Sequence, residues 1–318
     1  MPRREHHPLV SAIITTYNRN ELLTRAIDSV ASQTYPAIEL VVVDDCSPES
    51  AEPVVAQVDE RRFERVRFYR HERNRGVSAA RNTGIAESTG ELIAFLDDDD
   101  IWDRSKIEKQ VSTLRQSDRV GAVYTGVRSV DSTGSTIMVQ KPTREGNLTK
   151  DLLCGFNIWM PTLLVERDVI DEAGTFDEDI LTFEDPEWVA RLSQQTRFKP
   201  VSEPLYITLR GDEHAQLSDD LEIKIRNGYP QLMNSYQRIA SDYNYAFRIK
   251  VAGYGEYNIG YAALAAGRTN LARRCFLSAI TTWPLAPRFY LYFFLSLCGQ
   301  DIYLKARNAK RWTFDQFA

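Results

Sequence analysis

Four consecutive carboxylates, Asp97-Asp98-Asp99-Asp100, close the apolar run Leu92–Leu96. Adjacent like charges raise one another's pKa unless something positive sits among them. A hard, oxygen-preferring divalent cation, Mg²⁺ or Mn²⁺, answers that need and keeps coordination positions open for phosphate oxygens. A metal bridging a diphosphate would stabilise a departing nucleotide as charge develops on it. A solvated acidic turn, or a cap for a helix over 103–115, is the alternative reading of the tetrad taken alone. Two further polar clusters follow apolar runs: Thr15-Thr16-Tyr17-Asn18, and Asp44-Asp45. An acid pair, Glu184-Asp185, opens a helical pattern at 184–195, where carboxylates suit a helix N-terminus.

The elements that must position these groups alternate. Leu9–Thr16, Ile38–Asp44, Arg65–His71 and Glu91–Leu96 read as strands. Residues 20–33, Ala51–Glu60 and Val77–Ser88 read as helices, with Asn20 an N-cap for the first. The unbroken apolar core of Ile38–Asp44 predicts burial on both faces. Strand–helix alternation predicts a parallel, doubly wound sheet, with ligands at the carboxyl ends of its strands. All three polar clusters fall at those ends. Further on, Val120–Val127 and Ile137–Lys141 read as a hairpin around Asp131–Gly134. Short helices over 148–153 and 166–172, a strand at Thr162–Val165 and a last strand over 204–210 follow. Beyond about 217 the pattern is all-helical, which sets a domain boundary near 220.

Composition excludes several classes. The 318 residues carry 39 Lys plus Arg against 44 Asp plus Glu, a net charge of −5. That balance gives no field for nucleic acid. With 43% hydrophobic and 26% charged residues the chain is globular. Cys46, Cys154, Cys275 and Cys298 are scattered singly, against a thiolate zinc site or a disulfide framework. The polar, basic start is no secretory signal. No apolar run reaches about 18 residues. The expectation is a cytoplasmic chain.

Read together, Val10–Arg19, Val43–Ser47, Asn74–Gly84 and Asp97–Trp102, in that order and spacing, resemble the family 2 glycosyltransferases of GT-A fold. The resemblance covers roughly residues 9–217. It implies an α/β fold, a GT-A doubly wound mixed sheet with helices on both faces, plus the helical C-terminal region. It implies a GT-A domain over 1–220, with a nucleotide-sugar half at about 9–100 and an acceptor half at about 101–220, followed by helices over 221–318. The implied activity is transfer of a sugar from a nucleotide-diphosphate donor, UDP first by family frequency, to an acceptor hydroxyl with inversion. A glycan, lipid-linked or protein-bound acceptor would suit. By the same resemblance Thr15, Thr16 and Tyr17 hold base and ribose, Asp45 meets the base edge, and Asn74, Gly76 and Arg81 line the nucleotide. Asp97 and Asp99 match the Asp-x-Asp carboxylates, Asp99 being the direct ligand of Mn²⁺ or Mg²⁺ and Asp98 facing ribose or sugar. Leu181–Trp188 resembles the segment whose Asp185 is the general base and whose Glu184 contacts substrate, with Gly174–Asp177 as its lead-in. Pro186 is a departure, and it pushes Asp185 away from helical angles. Arg210 and His214 match a segment after the last strand, His214 as a metal ligand or a diphosphate contact. Trp159 and Phe156, in the variable stretch 141–162, stack on a sugar or isoprenoid or belong to the core. His6, His7 and His71 carry no signal.

In the tail, Ile259-Gly260, Gly267, Ala272, Phe276, Ala279 and Pro284 fall at the spacing of one tetratricopeptide-type hairpin. Residues 285–299 are apolar on most faces, and Lys305, Arg307, Lys310 and Arg311 follow. This segment is either the next core helix or a peripheral contact with the cytoplasmic face of the membrane. The alternative to an enzyme is a GT-A binding protein that assembles a complex through its helical tail. A nucleotidyltransferase or a Rossmann oxidoreductase would need a glycine-rich loop after the first strand, which this chain lacks.

Overall fold

A computed structural model describes residues 7–116, 119–209, 221–300 and 302–304. The strands are β1 Val10–Thr16, β2 Ile38–Asp44, β3 Arg65–Arg70, β4 Leu92–Asp97, β5 Asp100–Trp102, β6 Val120–Val130, β7 Thr136–Gln140, β8 Leu163–Glu166 and β9 Arg197–Leu209. The helices are α1 Asn20–Ala31, α2 Glu52–Val55, α3 Val77–Glu87, α4 Lys106–Leu114, α5 Thr149–Leu153, α6 Arg167–Ala173, α7 Glu184–Gln195, α8 Leu221–Ile223, α9 Tyr229–Ala240, α10 Tyr245–Ala265, α11 Thr269–Thr282 and α12 Pro287–Cys298. They form two compact units. One takes Met1–Leu148, Ile158–Asp179 and Arg191–Glu213, and the other Thr149–Asn157, Ile180–Ala190 and His214–Ala318.

The first unit holds one mixed sheet in the order β3-β2-β1-β4-β8-β6-β9-β5, with β7 on β6. Its first four strands run parallel. Period-two alternation divides their side chains between two faces. Val10, Ala12 and Ile14 join Leu40, Val42, Ala94 and Leu96 in a core with Leu23, Ile27 and Val30 of α1 and Ile107 and Val111 of α4. Ile13 points the other way, toward α3, where a Cβ on Gly84 would lie 2.4 Å from its Cγ2. Every residue of β2 is buried, as its apolar run predicts.

Local signals misled in four places. Asn20 is the first residue of α1 rather than its cap; Arg19 stands at the N-cap without a side-chain cap bond, and the Asn20 amide donates to the Ser50 carbonyl at 3.3 Å. The helix expected over Ala51–Glu60 stops at Val55, because Asp59 caps a separate 3₁₀ turn, Glu60–Arg62, through the Arg61 N–H. The last strand is thirteen residues rather than the seven of 204–210. Pro200 and Pro204 hide its first half from a propensity reading. The fourth aspartate of the tetrad is not loop at all: β5 pairs antiparallel with β9, Asp100 opposite Thr208.

The second unit is helical. Leu153 of α5 and Cys154 just after it, Ala190 of α7, Leu232, Tyr236 and Ile239 of α9 and Val251 of α10 make one core. Helices α10 to α12 make another around Phe276 and Phe289, both fully buried. The α10–α11 connection turns at Gly267, φ +77°. Gly260 lets Phe276 approach so closely that a Cβ there would sit 2.7 Å from the ring.

Candidate functional site

The site grows from the carboxyl ends of β1, β2 and β4. In register Thr15 lies beside Asp97 and Thr16 beside Asp44, which is where the strand order reverses direction and where parallel sheets open a crevice. The Asp45 N–H donates to the Thr16 carbonyl at 2.9 Å and the His71 N–H to the Asp44 carbonyl at 2.9 Å, tying the three strand ends together. Asp44 itself is structural: fully buried, it accepts from the Ser47 and Ala51 amides.

Asp45 is held on both oxygens. Oδ1 accepts the Arg75 N–H at 2.8 Å and meets His71 Nδ1 at 2.7 Å, and Oδ2 accepts the Gly76 N–H at 2.8 Å. Gly76 has φ +89°, with nothing within 4 Å of a Cβ position, so backbone conformation is what favours glycine there. His71 Nε2 lies 2.9 Å from Thr83 Oγ1 on α3. The histidine that carried no signal in the sequence is therefore the side chain that fixes Asp45. Its place directly after β3, one residue beyond the pairing of Arg70 with Asp44, is the clue that pattern reading could have used. Asn74 is exposed in the same loop, and Tyr17 stands 47% exposed just past β1.

The tetrad divides its labour. Asp98 is buried; Oδ2 accepts the Thr16 hydroxyl at 2.7 Å and Oδ1 an Arg19 N–H at 3.1 Å. Burial pushes its carboxyl up to about 6, with the Asp99 charge adding and Thr16 and Arg19 opposing. The same Arg19 nitrogen reaches Asp99 Oδ2 at 3.0 Å. Asp97 takes an Arg81 N–H at 3.3 Å on Oδ1 and the Tyr206 hydroxyl at 3.3 Å on Oδ2. The Arg81 guanidinium also lies 5.3 Å from the Phe176 ring centre, and Asn82 pins Phe176 by paired backbone bonds. The lead-in Gly174–Asp177 is thus stapled to α3. Asp100 accepts the Tyr206 hydroxyl and the Leu209 N–H. Burial first, then the charges of Asp97 and Asp99, push Asp100 up to about 8.

Among the described residues no three His, Cys, Asp or Glu side chains converge as a cage for a metal. Asp97 and Asp99 nevertheless supply hard oxygens at the crevice. Mg²⁺ and Mn²⁺ suit sites of one or two carboxylates completed by water and substrate phosphate, and the donor set fits that pattern. Arg210 and His214 lie outside the described residues. Trp159 precedes a 3₁₀ turn, Met160–Thr162, with its side chain partly buried against the sheet core.

Glu184 and Asp185 belong to the second unit. Pro186 does not push Asp185 out of the helix: α7 starts at Glu184, and proline in a first turn costs no hydrogen bond. The segment is fixed by α9 and the turn before it. Buried Glu187 accepts the Ser235 hydroxyl at 2.7 Å, the Tyr236 hydroxyl donates to the Pro186 carbonyl at 3.4 Å, and the Leu181 N–H donates to Asn227 at 2.9 Å. Phe183 takes φ +70°, its ring edge-on to Tyr229 at 6.1 Å. Gly228 sits against Thr182, where a Cβ would fall 2.3 Å from the carbonyl oxygen. None of these partners is visible in a reading that stops at the acid pair.

Comparison with known proteins places the chain in a family and a fold. The family model "Glycosyl transferase family 2" matches residues 11–170. An uncharacterized glycosyltransferase of Nostoc sp. is 34% identical over 175 residues, 53% of this chain and 54% of its own, so the chain spans about half that relative's length. Among solved structures, S. aureus TarS 1–349 in complex with UDP-GlcNAc superposes with a TM-score of 0.63 at 17% identity, covering 97% of this chain and 92% of that one. A mannosyltransferase of Pyrobaculum calidifontis in complex with GDP-Man and Mn²⁺ superposes with a TM-score of 0.58 at 17% identity, covering 92% and 85%. The fold is GT-A-like, with helices on both faces of a mixed sheet.

Proposed function

The chain belongs to glycosyl transferase family 2, and on that premise we propose that it is an inverting transferase of a nucleotide-diphosphate sugar. The observation that carries this reading is that Asp45 and Asp97 stand at the ends of the parallel strands β2 and β4 on either side of β1, with Arg81 bonded to Asp97 and Asp99 two residues on. Asp45, pre-set by its amide and imidazole partners, meets the donor base. Thr15 and Tyr17 flank base and ribose, and Asn74 and Gly76 complete the loop beside them. UDP and GDP are the first nucleotides to test, because the two solved relatives named above carry them.

Asp99, with Asp97 beside it, would hold Mn²⁺ or Mg²⁺. Such an ion supplies charge to the diphosphate as the nucleotide leaves. Arg81, whose planar fork favours phosphate as well as carboxylate, stands ready beside Asp97 to share that load. Asp98 and Asp100 act behind them, Asp98 by holding Arg19 and Thr16, Asp100 by locking Tyr206. Asp185 takes the proton of the acceptor hydroxyl as it attacks the anomeric carbon, and Glu184 contacts the substrate. Bond making to the acceptor oxygen and bond breaking to the diphosphate oxygen occur on opposite faces, which inverts the centre. The acceptor is a glycan hydroxyl, lipid-linked or protein-bound.

The test is a thermal-shift panel of UDP, GDP, dTDP and CMP, each with Mn²⁺, Mg²⁺ or EDTA. A ligand at about 100 times its Kd stabilises by ~2.7 kcal/mol. One diphosphate stabilising only with metal is the expected result. No stabilisation under any condition would overturn the donor site. The matching UDP- or GDP-sugars then report transfer directly.

A further inference from the structure

We propose that α12 is a docking face for a bilayer containing anionic lipid, lying in the plane of the interface. The twelve residues of α12 are Pro-Arg-Phe-Tyr-Leu-Tyr-Phe-Phe-Leu-Ser-Leu-Cys. One face is used inside the unit: Phe289 and Ser296 are buried, and Tyr292, Phe293 and Leu295 pack on the same core. The helix's single charge is turned inward too, since Arg288 donates to the Cys154 carbonyl at 2.8 Å and stacks 4.2 Å from the Tyr254 ring centre. What remains is an outward arc of Tyr290, Leu291, Phe294 and Leu297, exposed by 38%, 56%, 61% and 51%. At 100° per residue these four fall within about one-third of the helix circumference. A contiguous apolar stripe left in water marks an interaction surface.

Charge selects the occupant. Residues 245–318 carry ten basic and three acidic side chains, net +7, and residues 1–244 carry net −12. A second copy meeting this face would bring +7 against +7. An anionic bilayer meets it with opposite charge, and each Lys or Arg near such a surface contributes about fivefold in affinity. Lys305, Arg307, Lys310 and Arg311 follow α12 directly in the sequence. Among the described residues no helix is long and apolar enough to cross a membrane, so the stripe enters only the headgroup boundary, with an aromatic-rich face as interfacial helices have. This inference is independent of the donor chemistry.

Flotation of the full chain with vesicles tests it. Mixed phosphatidylglycerol and phosphatidylcholine vesicles should bind at least about tenfold more tightly than phosphatidylcholine alone, and raising the salt should erase the difference. The combined variant Leu291→Ser, Phe294→Ser, Leu297→Ser should lose about tenfold or more in vesicle binding with its thermal midpoint unchanged, because those side chains are already in water. Neutralising Lys305, Arg307, Lys310 and Arg311 to Gln should remove the lipid preference while leaving residual apolar binding. The proposal is overturned by a wild-type chain that does not float with mixed vesicles, or by a triple variant that floats like wild type. It is equally overturned by light scattering that finds a dimer in the wild type and a monomer in the triple variant, since a second copy would then occupy the stripe.

Discussion

The tetrad Asp97–Asp100 and the acid pair Glu184-Asp185 are both runs of carboxylate, but they are held in opposite ways. The tetrad is set by sheet register and by dense polar contact: Thr16, Arg19, Arg81, Tyr206 and the Leu209 amide each take a defined oxygen. The acid pair is set by packing, through fully buried Trp188 and a brace of α9 side chains some fifty residues downstream. If the proposed roles hold, donor binding should answer to substitutions near the strand ends, and the positioning of Asp185 to substitutions in the helical unit. The helices after residue 220 are in this sense what holds the Glu184-Asp185 segment in place.

The largest effects should separate the two clusters. Asp99→Asn and Asp185→Asn should each reduce transfer by about a thousandfold or more, roughly 4 kcal/mol of barrier. Asp99→Asn should also abolish metal-dependent nucleotide binding in calorimetry, whereas Asp185→Asn should leave it at the wild-type value. If Asp185→Asn lost nucleotide binding as well, the division between the clusters would be broken.

A sharper test moves one step back from the chemistry. Glu187→Ala strands the Ser235 hydroxyl and empties a buried site, at a cost of about 1–3 kcal/mol in stability. The expectation is a kcat lowered by about a hundredfold with the donor KM little changed, the signature of a displaced base. Glu187→Gln keeps the bond to Ser235 and should restore most of kcat. A variant whose donor KM rose in step with its loss of kcat would instead link Glu187 to the donor side.

How far these roles could be read in advance follows from where the information lies. The four parallel strands and the helices between them were legible from their apolar patterns, and so was the placement of Asp45 and Asp97 at strand ends; Arg81 and Asp99 were singled out only through the resemblance to a family. Contacts between distant segments were not legible. His71 gave no signal as a lone residue at a strand terminus; its meaning comes from Asp45, 26 residues earlier, and Thr83. Glu187–Ser235 and Thr182–Gly228 have the same character. Strand β5 escaped because Asp100 is a poor strand former that is admitted by pairing with β9, where the Tyr206 hydroxyl and the Leu209 N–H satisfy its buried carboxyl.

His71 offers a smaller effect on the donor side. His71→Ala leaves the Asp45 carboxylate with its two amide donors but frees it to rotate, and should weaken nucleotide binding by about tenfold, ~1.4 kcal/mol. His71→Asn, whose amide can take over the donor role toward Asp45, should recover part of that loss, while kcat at saturating donor stays within about twofold. An Ala variant with wild-type nucleotide affinity would show that the two amides alone hold Asp45.

The smallest expected effect on turnover comes from Lys106, which belongs to neither cluster. It is fully buried in the first turn of α4, its Nζ has no hydrogen-bond partner, and it lies 4.3 Å from the centre of the Trp102 ring. Burial holds its amine well below the usual lysine range, and the positive end of α4 works in the same direction. An unfolded lysine keeps its proton up to about pH 10.4, so over the interval between the folded and unfolded values the unfolded chain binds more protons and stability rises with pH. The slope is at most about 1.4 kcal/mol per pH unit for one group. Buried tyrosines, Tyr206 among them, are pushed the other way, so the comparison has to be made against a variant that alters only the amine. Lys106→Met retains length and apolar contact. Subtracting its pH–stability profile from the wild type should leave a component that rises with pH and levels off above about pH 10, with turnover changed by less than about twofold. A flat difference would mean that Lys106 is charged in the folded chain, its ammonium satisfied by the Trp102 ring alone.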